Sequence, residues 1–149
     1  EEIRSIYSSD LGRAFITAHI IAEKLGLDRK LFTAKELREI NYGIYANMDK
    51  AEVQKQCLQY KQDASFIFPE GESFYQVQRR AVNFIKHLEE KHNGQTLLLV
   101  THAGVLRAIH TWLHQEDLQN HLNMRFSHEF IGKYVIDKQK MVSYEKLGE

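Results

Sequence analysis

The chain has little of several features that define large protein classes. It has a single cysteine, Cys57, so no disulfide can form within it, and a reducing cytoplasm is the expected location. No apolar run approaches the roughly 20 residues that span a bilayer, so we expect no membrane partner. Lys plus Arg (20) equal Asp plus Glu (20), and this balance provides no overall field to attract nucleic acid or an acidic membrane.

What the chain does contain is typical of one globular domain. Its 149 residues, of which 43% are hydrophobic and 27% charged, predict a single domain over residues 1–149. The chain starts without a methionine or a signal-peptide pattern. Because the letters EIRSIYSSD already read as a strand that runs into a functional turn, we expect further residues before Glu1.

Strand and helix patterns alternate along the chain. The letters TLLLVT at 96–101 are apolar without alternation, as expected for a strand covered on both faces. The alternation predicts an α/β fold, a three-layer α/β/α sandwich with a mainly parallel sheet and an antiparallel strand near the C-terminus. We predict strands at 3–7, 31–33 and 96–101, helices at 11–25, 51–60 and 105–114, and a terminal hairpin of 132–137 and 141–147.

Particular residues mark the ends of the predicted helices. The segment 8–10 (SSD) offers N-cap residues for the first helix, and Gly26 suits its C-terminus. Ser73 and Gln76 form a capping box, which predicts a further helix that starts at Ser73. The stretch 61–72, which holds the only proline of the chain, is predicted to be a loop.

Two predicted strands end in unusual polar residues. Arg13 lies in the first turn of the helix after the first strand, and His102 follows the strand at 96–101. Ligands of open α/β sheets bind at the carboxyl ends of the strands. A helix N-terminus and an arginine fork both favour an anion, and a histidine can donate to a phosphate oxygen. The pattern predicts a phosphate pocket.

A metal site is not predicted. His110 and His114 are four residues apart on one predicted helix, a spacing that can hold zinc. However, the chain has no H-E-x-x-H pattern, and a structural or surface role is the preferred interpretation of these histidines.

Four segments of the chain resemble motifs of the histidine phosphatase (phosphoglycerate mutase-like) superfamily, in the order of that family. YSSDLGRAFITA (7–18) resembles S-S-D-L-x-R-A-x-x-T-A, and LREINYG (37–43) resembles L-x-E-x-x-x-G. PEGES (69–73) is similar to P-G-G-E-S, with Glu70 in place of a glycine. VTHAGVLRA (100–108) is similar to V-T-H-G-G-V-I-R-A, with Ala103 in place of a glycine.

The resemblance implies a role for each matching residue. Arg13 is expected to hold the phosphoryl group and His102 to stabilise its charge, while Glu39 gives a proton to the leaving oxygen and later takes one from water. The other expected pocket residues are Ser9, Ala103 and Glu72, and no metal or other cofactor is required. Glu39 as a surface charge, and Glu72 as a residue that only favours a helix N-terminus, are the alternative interpretations.

The nucleophile that the resemblance requires is a histidine in an Arg-His-Gly motif at the end of the family's first strand. This tripeptide does not occur in the chain, and the motif order places it before Glu1. We therefore expect the chain to be a fragment that lacks the first strand and is inactive by itself. A cleaved protein whose N-terminal piece remains bound, and a swapped assembly, are the alternatives.

The leading hypothesis is a phosphomonoester hydrolase that acts on a small-molecule phosphate ester through a phosphohistidine. The short connection between Gly43 and Ser73 resembles the compact phosphatase branch of alpha-ribazole and broad-specificity phosphatases, whereas phosphoglycerate mutases carry a longer insertion there. A catalytically inactive phosphate-binding protein and a phosphoglycerate mutase are the alternatives, and a homodimer is one candidate assembly.

Overall fold

The computed structural model describes residues 2–57 and 63–148. Each predicted strand is present, with small changes at the ends. The strands are β1 (Ile3–Ser8), β2 (Leu31–Thr33), β3 (Thr96–Val100), β4 (Ile131–Asp137) and β5 (Lys140–Gly148). The α-helices are α1 (Gly12–Leu25), α2 (Lys50–Gln56), α3 (Phe74–Lys91) and α4 (Ala103–Leu113), and short 3-10 turns cover Asp28–Lys30, Lys35–Leu37, Gly43–Tyr45 and Leu118–Asn123.

The first three strands form a parallel sheet in the order β2-β1-β3. Side chains alternate across this sheet, so successive residues of β1 face different helices. Ile6 packs with Ala18 and Ala22 of α1 on one face. Tyr7 packs into the larger cluster that includes Val77 of α3 and Val105 of α4 on the other face. The α/β/α layering predicted from the sequence is therefore confirmed.

Strands β4 and β5 pair with each other and form their own two-stranded antiparallel sheet. The antiparallel element expected near the C-terminus is thus confirmed, as a hairpin beside the parallel sheet. Tyr134, Ile136 and Met141 pack against the larger core cluster, and the Tyr134 hydroxyl is 2.8 Å from Nδ1 of His110 on α4. The hairpin is therefore attached to α4 by side-chain packing. Among residues 2–57 and 63–148, each helix is too short or too polar to span a bilayer.

The helix ends confirm one cap and revise another. The side chain of Ser73 accepts the backbone N–H of Gln76, and the Gln76 side chain accepts the N–H of Ser73. Gly26 ends α1 with a positive φ of 65°. However, the N-cap of α1 is Leu11, not a residue of the segment 8–10, because the Ser9 hydroxyl bonds to His102 and to the N–H of Leu11 and not to an N–H in the first turn of the helix.

Two other expectations differ from the structure. Helix α2 ends at Gln56, and the rest of the helix predicted over 51–60 lies outside the described residues from 58 onward. The five residues of β3 are half-buried, although their apolar run predicted a strand covered on both faces. In the described part of the chain, β3 pairs only with β1, so its second edge admits solvent to both faces.

Two loops meet closely beside the core. A side chain on Gly43 would collide with the backbone of Pro69, and one on Gly71 would collide with the Asn41 carbonyl. Ile44 N–H donates to the Pro69 carbonyl at 3.0 Å, which closes this contact. The glycines therefore allow the loops to lie backbone against backbone.

Glu70 directly precedes Gly71 and has a φ of 60°. A β-carbon is unfavourable in this left-handed conformation. We predict that Glu70→Gly raises the free energy of unfolding by roughly 0.5–1 kcal/mol, since glycine removes this strain but loses more chain entropy on folding. Urea denaturation measures the change. Glu70→Ala is the matched control because it keeps the β-carbon, and equal stabilities of the Gly and Ala variants would contradict the explanation.

Candidate functional site

The register between β1 and β3 brings two chain segments together at the carboxyl end of the sheet. Ser8 lies opposite Val100, and the N–H of Ser9 donates to the Val100 carbonyl at 3.0 Å. The Ser9 hydroxyl is 2.8 Å from Nε2 of His102 and also accepts the N–H of Leu11 at 3.2 Å. Ser9 is fully buried, so its hydrogen bond fixes the orientation of the His102 imidazole from the interior of the protein.

His102 is held in its neutral form. Burial is the largest cause that lowers its pKa to about 4, and the positive charges of Arg13 and Arg80 lower it further. Arg13 itself is exposed in the first turn of α1. A neutral imidazole and an exposed guanidinium thus lie near each other at the ends of neighbouring parallel strands, as expected for an anion site.

Glu39 approaches the same place from a different segment. It follows the 3-10 turn Lys35–Leu37, and its Oε1 accepts the N–H of Ile40 at 3.0 Å. Its Oε2 accepts the N–H of Gly104 at 3.4 Å, in the first turn of α4. A side chain at Gly104 would collide with Oε1 of Glu39, so the glycine leaves the space that the carboxylate occupies. Ala103, the first residue of α4, is exposed.

Two further contacts tie the Glu39 segment to the strand ends. Oγ1 of Thr101 donates to the Leu37 carbonyl at 2.8 Å. Arg38 makes a bidentate ion pair with Asp10, with Nε–Oδ1 and Nη2–Oδ2 distances of 2.6 Å each. Hydrogen bonds from Arg38 hold the pKa of Asp10 below its usual range. The segment that carries Glu39 is therefore fixed to the ends of both β1 and β3.

Glu72 lies behind this segment and is already paired. Its Oε1 accepts Nη2 of Arg80 at 2.8 Å and the N–H of Asn41 at 2.9 Å, and its Oε2 accepts Nε of Arg80 at 3.1 Å. Both side chains are about four-fifths buried, with exposures of 22% for Arg80 and 20% for Glu72. The oxygens of the Glu72 carboxylate are thus bound to the guanidinium of Arg80 and to the main chain at Asn41.

The structure therefore brings together Arg13, His102 and Glu39. Ser9 is hydrogen-bonded to the imidazole of His102, and Ala103 follows His102 in the chain. Sequence reasoning missed Arg80, which contacts the Glu39 segment directly. A signal was present, because Arg80 lies three residues after buried Val77, at the edge of the apolar stripe of α3. It also missed the Asp10–Arg38 pair, for which 28 residues of separation gave no local signal.

A cluster that could hold a metal ion does not occur among residues 2–57 and 63–148. The paired histidines of α4, His110 and His114, pack against Tyr134 and Tyr144 of the hairpin, which fits the structural interpretation of them. The candidate site itself consists of a guanidinium, a neutral imidazole and a carboxylate. These groups can bind an anion, stabilise charge on it and exchange a proton with it.

Comparison with known proteins gives a consistent result. The model of the histidine phosphatase superfamily (branch 1) matches residues 1–143. The chain is 34% identical over 117 residues to phosphoglycerate mutase-like protein 4 of Arabidopsis thaliana, covering 74% of the chain and 50% of that protein. It is 31% identical over 149 residues to the metal-independent phosphoserine phosphatase of Arabidopsis thaliana, covering 94% of the chain and 62% of that protein.

A solved structure shares the fold. Bacillus stearothermophilus YhfR superimposes with a TM-score of 0.81 at 24% identity, covering 99% of the chain and 74% of that protein. The chain spans about half to three fifths of the length of the curated relatives it matches, from 50% to 62%.

We predict that Arg13→Gln raises the pKa of His102, because it removes a positive charge that disfavours the imidazolium. The pKa stays below the ordinary 6.5, since burial is the larger cause. Titration of the ring by NMR measures this, with Arg29→Gln in the exposed turn Asp28–Lys30 as the matched control. An unchanged His102 titration in Arg13→Gln would contradict the arrangement.

The lowered pKa of His102 makes the free energy of unfolding depend on pH. A histidine that titrates near 4 when folded and near 6.5 when unfolded binds more protons in the unfolded state between these values. Its contribution to folding is therefore fully present above about pH 6.5 and is lost as the pH falls toward 4. His102→Gln should reduce the loss of unfolding free energy over this range, and urea denaturation at pH values from 4 to 6.5 measures this change.

Proposed function

Because the chain belongs to the histidine phosphatase superfamily (branch 1), we propose that the full-length protein is a metal-independent phosphomonoester hydrolase that forms a phosphohistidine. The observation that carries this proposal is the convergence of Arg13, His102 and Glu39 at the carboxyl ends of β1 and β3. A cation, a neutral imidazole and a carboxylate are the groups that such a reaction needs besides its nucleophile.

The proposed reaction has two displacements. In the first, a histidine nitrogen attacks phosphorus, the phosphorus–ester oxygen bond breaks, and Glu39 gives its proton to the leaving oxygen. In the second, Glu39 takes a proton from water, the water oxygen attacks phosphorus, and the phosphorus–nitrogen bond breaks to release phosphate. Arg13 and His102 stabilise the charge on the equatorial oxygens in both steps.

The nucleophile is proposed to lie upstream of residue 1, in a strand that pairs with the second edge of β3. Two observations support this placement. The five residues of β3 are half-buried, and within the described residues that strand pairs only with β1. Another strand at this edge would cover β3 and bring its own carboxyl end next to His102.

Hydrolysis is preferred to phosphoryl transfer between small molecules because the connection from Gly43 to Ser73 is short, as in the compact phosphatases. The relative that is a metal-independent phosphoserine phosphatase supports the same choice. The relative that is a phosphoglycerate mutase-like protein favours the mutase alternative.

We predict that the full-length protein hydrolyses p-nitrophenyl phosphate at an undiminished rate in EDTA. His102→Ala should lower kcat by about 100- to 1,000-fold, since it removes a group that stabilises transferred charge. Steady-state kinetics and acid-labile labelling by a radioactive phosphate ester measure these effects, with exposed Arg79→Ala as the control.

Each alternative has its own outcome. Phosphate binding that depends on Arg13 and His102 without turnover would identify an inactive binding protein. Exchange between phosphoglycerates without net hydrolysis would identify a mutase, and loss of activity in EDTA would overturn the metal-independent mechanism.

A further inference from the structure

The guanidinium of Arg80 donates hydrogen bonds to the main chain around Glu39. Its Nη1 donates to the Glu36 carbonyl at 2.5 Å, and its Nη2 donates to the Arg38 carbonyl at 2.7 Å and to the Glu39 carbonyl at 3.4 Å. One side chain on α3 thus binds two carbonyl groups before Glu39 and the carbonyl group of Glu39 itself.

Glu72 fixes the orientation of this guanidinium. It binds Nε and Nη2 of Arg80 through both carboxylate oxygens, and it also accepts the N–H of Asn41. The pair therefore contacts the segment before Glu39 through Arg80 and the segment after it through Glu72. A planar guanidinium can make these bonds together, whereas a lysine ammonium is a single point donor and cannot span them.

We propose that Arg80, oriented by Glu72, is a positioning residue that sets the place of the Glu39 carboxylate relative to the leaving oxygen. This inference rests on the proposed function, in which Glu39 is the proton donor. Arg80 is not itself a catalytic residue, since its hydrogen bonds go to protein carbonyls and to Glu72.

The geometry of Glu39 makes it depend on this support. Within residues 2–57 and 63–148, its carboxylate is held at the site by its own neighbour, Ile40 N–H at 3.0 Å, and by a longer bond of 3.4 Å from Gly104 N–H. The position of the carboxylate therefore follows the position of its main chain. A proton donor must lie within hydrogen-bond reach of the leaving oxygen, and a displacement of about 1 Å is enough to cost roughly 100-fold in rate.

A displaced proton donor has a signature that general damage to the fold lacks. An ester with a basic alkoxide leaving group needs the proton, whereas 2,4-dinitrophenolate leaves without it. The value of kcat/KM reports the steps through formation of the phosphoenzyme. The ratio of kcat/KM for 2,4-dinitrophenyl phosphate to that for glycerol phosphate therefore measures how well Glu39 is placed.

We predict that Arg80→Lys in the full-length protein lowers kcat/KM for glycerol phosphate by about 10- to 100-fold and that for 2,4-dinitrophenyl phosphate by less than about 3-fold. Lysine keeps the positive charge that acts on His102, so inhibition by inorganic phosphate should be unchanged. Arg79→Lys, its exposed neighbour on α3, is the matched control and should leave both values unchanged.

Two companion variants make every outcome informative. Glu39→Gln should show the same selective loss, and if it does not, the proposed function fails together with this inference. If Glu39→Gln shows the selective loss but Arg80→Lys lowers kcat/KM equally for both esters, only the inference is overturned. The same holds if Arg80→Lys lowers kcat/KM for neither ester. Should Arg80→Lys not fold, Glu72→Gln decides the question, because it keeps an acceptor for Asn41 but weakens the hold on Arg80, and a selective loss is again required.

Discussion

Parallel pairing of β1 with β3 is the constraint on which the candidate site depends. The register that sets Ser8 opposite Val100 also sets the residues that follow each strand side by side. Ser9 then meets His102, and α1 and α4 begin next to each other with their N-termini at the same edge of the sheet. A shift of the register would separate the imidazole from Arg13, although each helix could still form locally.

Glu39 reaches this edge by a different physical route. It lies on no regular strand or helix, and its main chain is fixed by side chains that follow β1 and β3 and by one side chain of α3. Thr101 binds the Leu37 carbonyl, Asp10 binds Arg38, and Arg80 binds the carbonyls of Glu36 and Arg38. The site thus combines groups placed by backbone pairing with one group placed by side-chain bonds to an irregular loop, which is where functional residues are commonly found.

Sequence periodicity predicted the layers and the strand ends well, because both follow from local patterns and from the general geometry of parallel sheets. It predicted the capping box at Ser73 for the same local reason. It could not predict the half-burial of β3, which depends on what lies at the second edge of that strand. Nor could it predict that Glu72 pairs with Arg80, since this contact requires α3 and the loop at Asn41 to be placed in three dimensions.

The pairing of β1 with β3 also has a consequence for synthesis of the protein. Ile3 pairs with Thr96, so the central strand waits for its partner while the intervening chain is made, for roughly 5–20 s at ordinary rates of translation. During this interval, Ile6 can be covered by α1 and Tyr7 in part by α3, but the edge of β1 that pairs with β3 has no partner strand. The hairpin of β4 and β5, by contrast, closes between adjacent segments within microseconds. On the ribosome, the elements of the site therefore come together late, after β3 and α4 have been made.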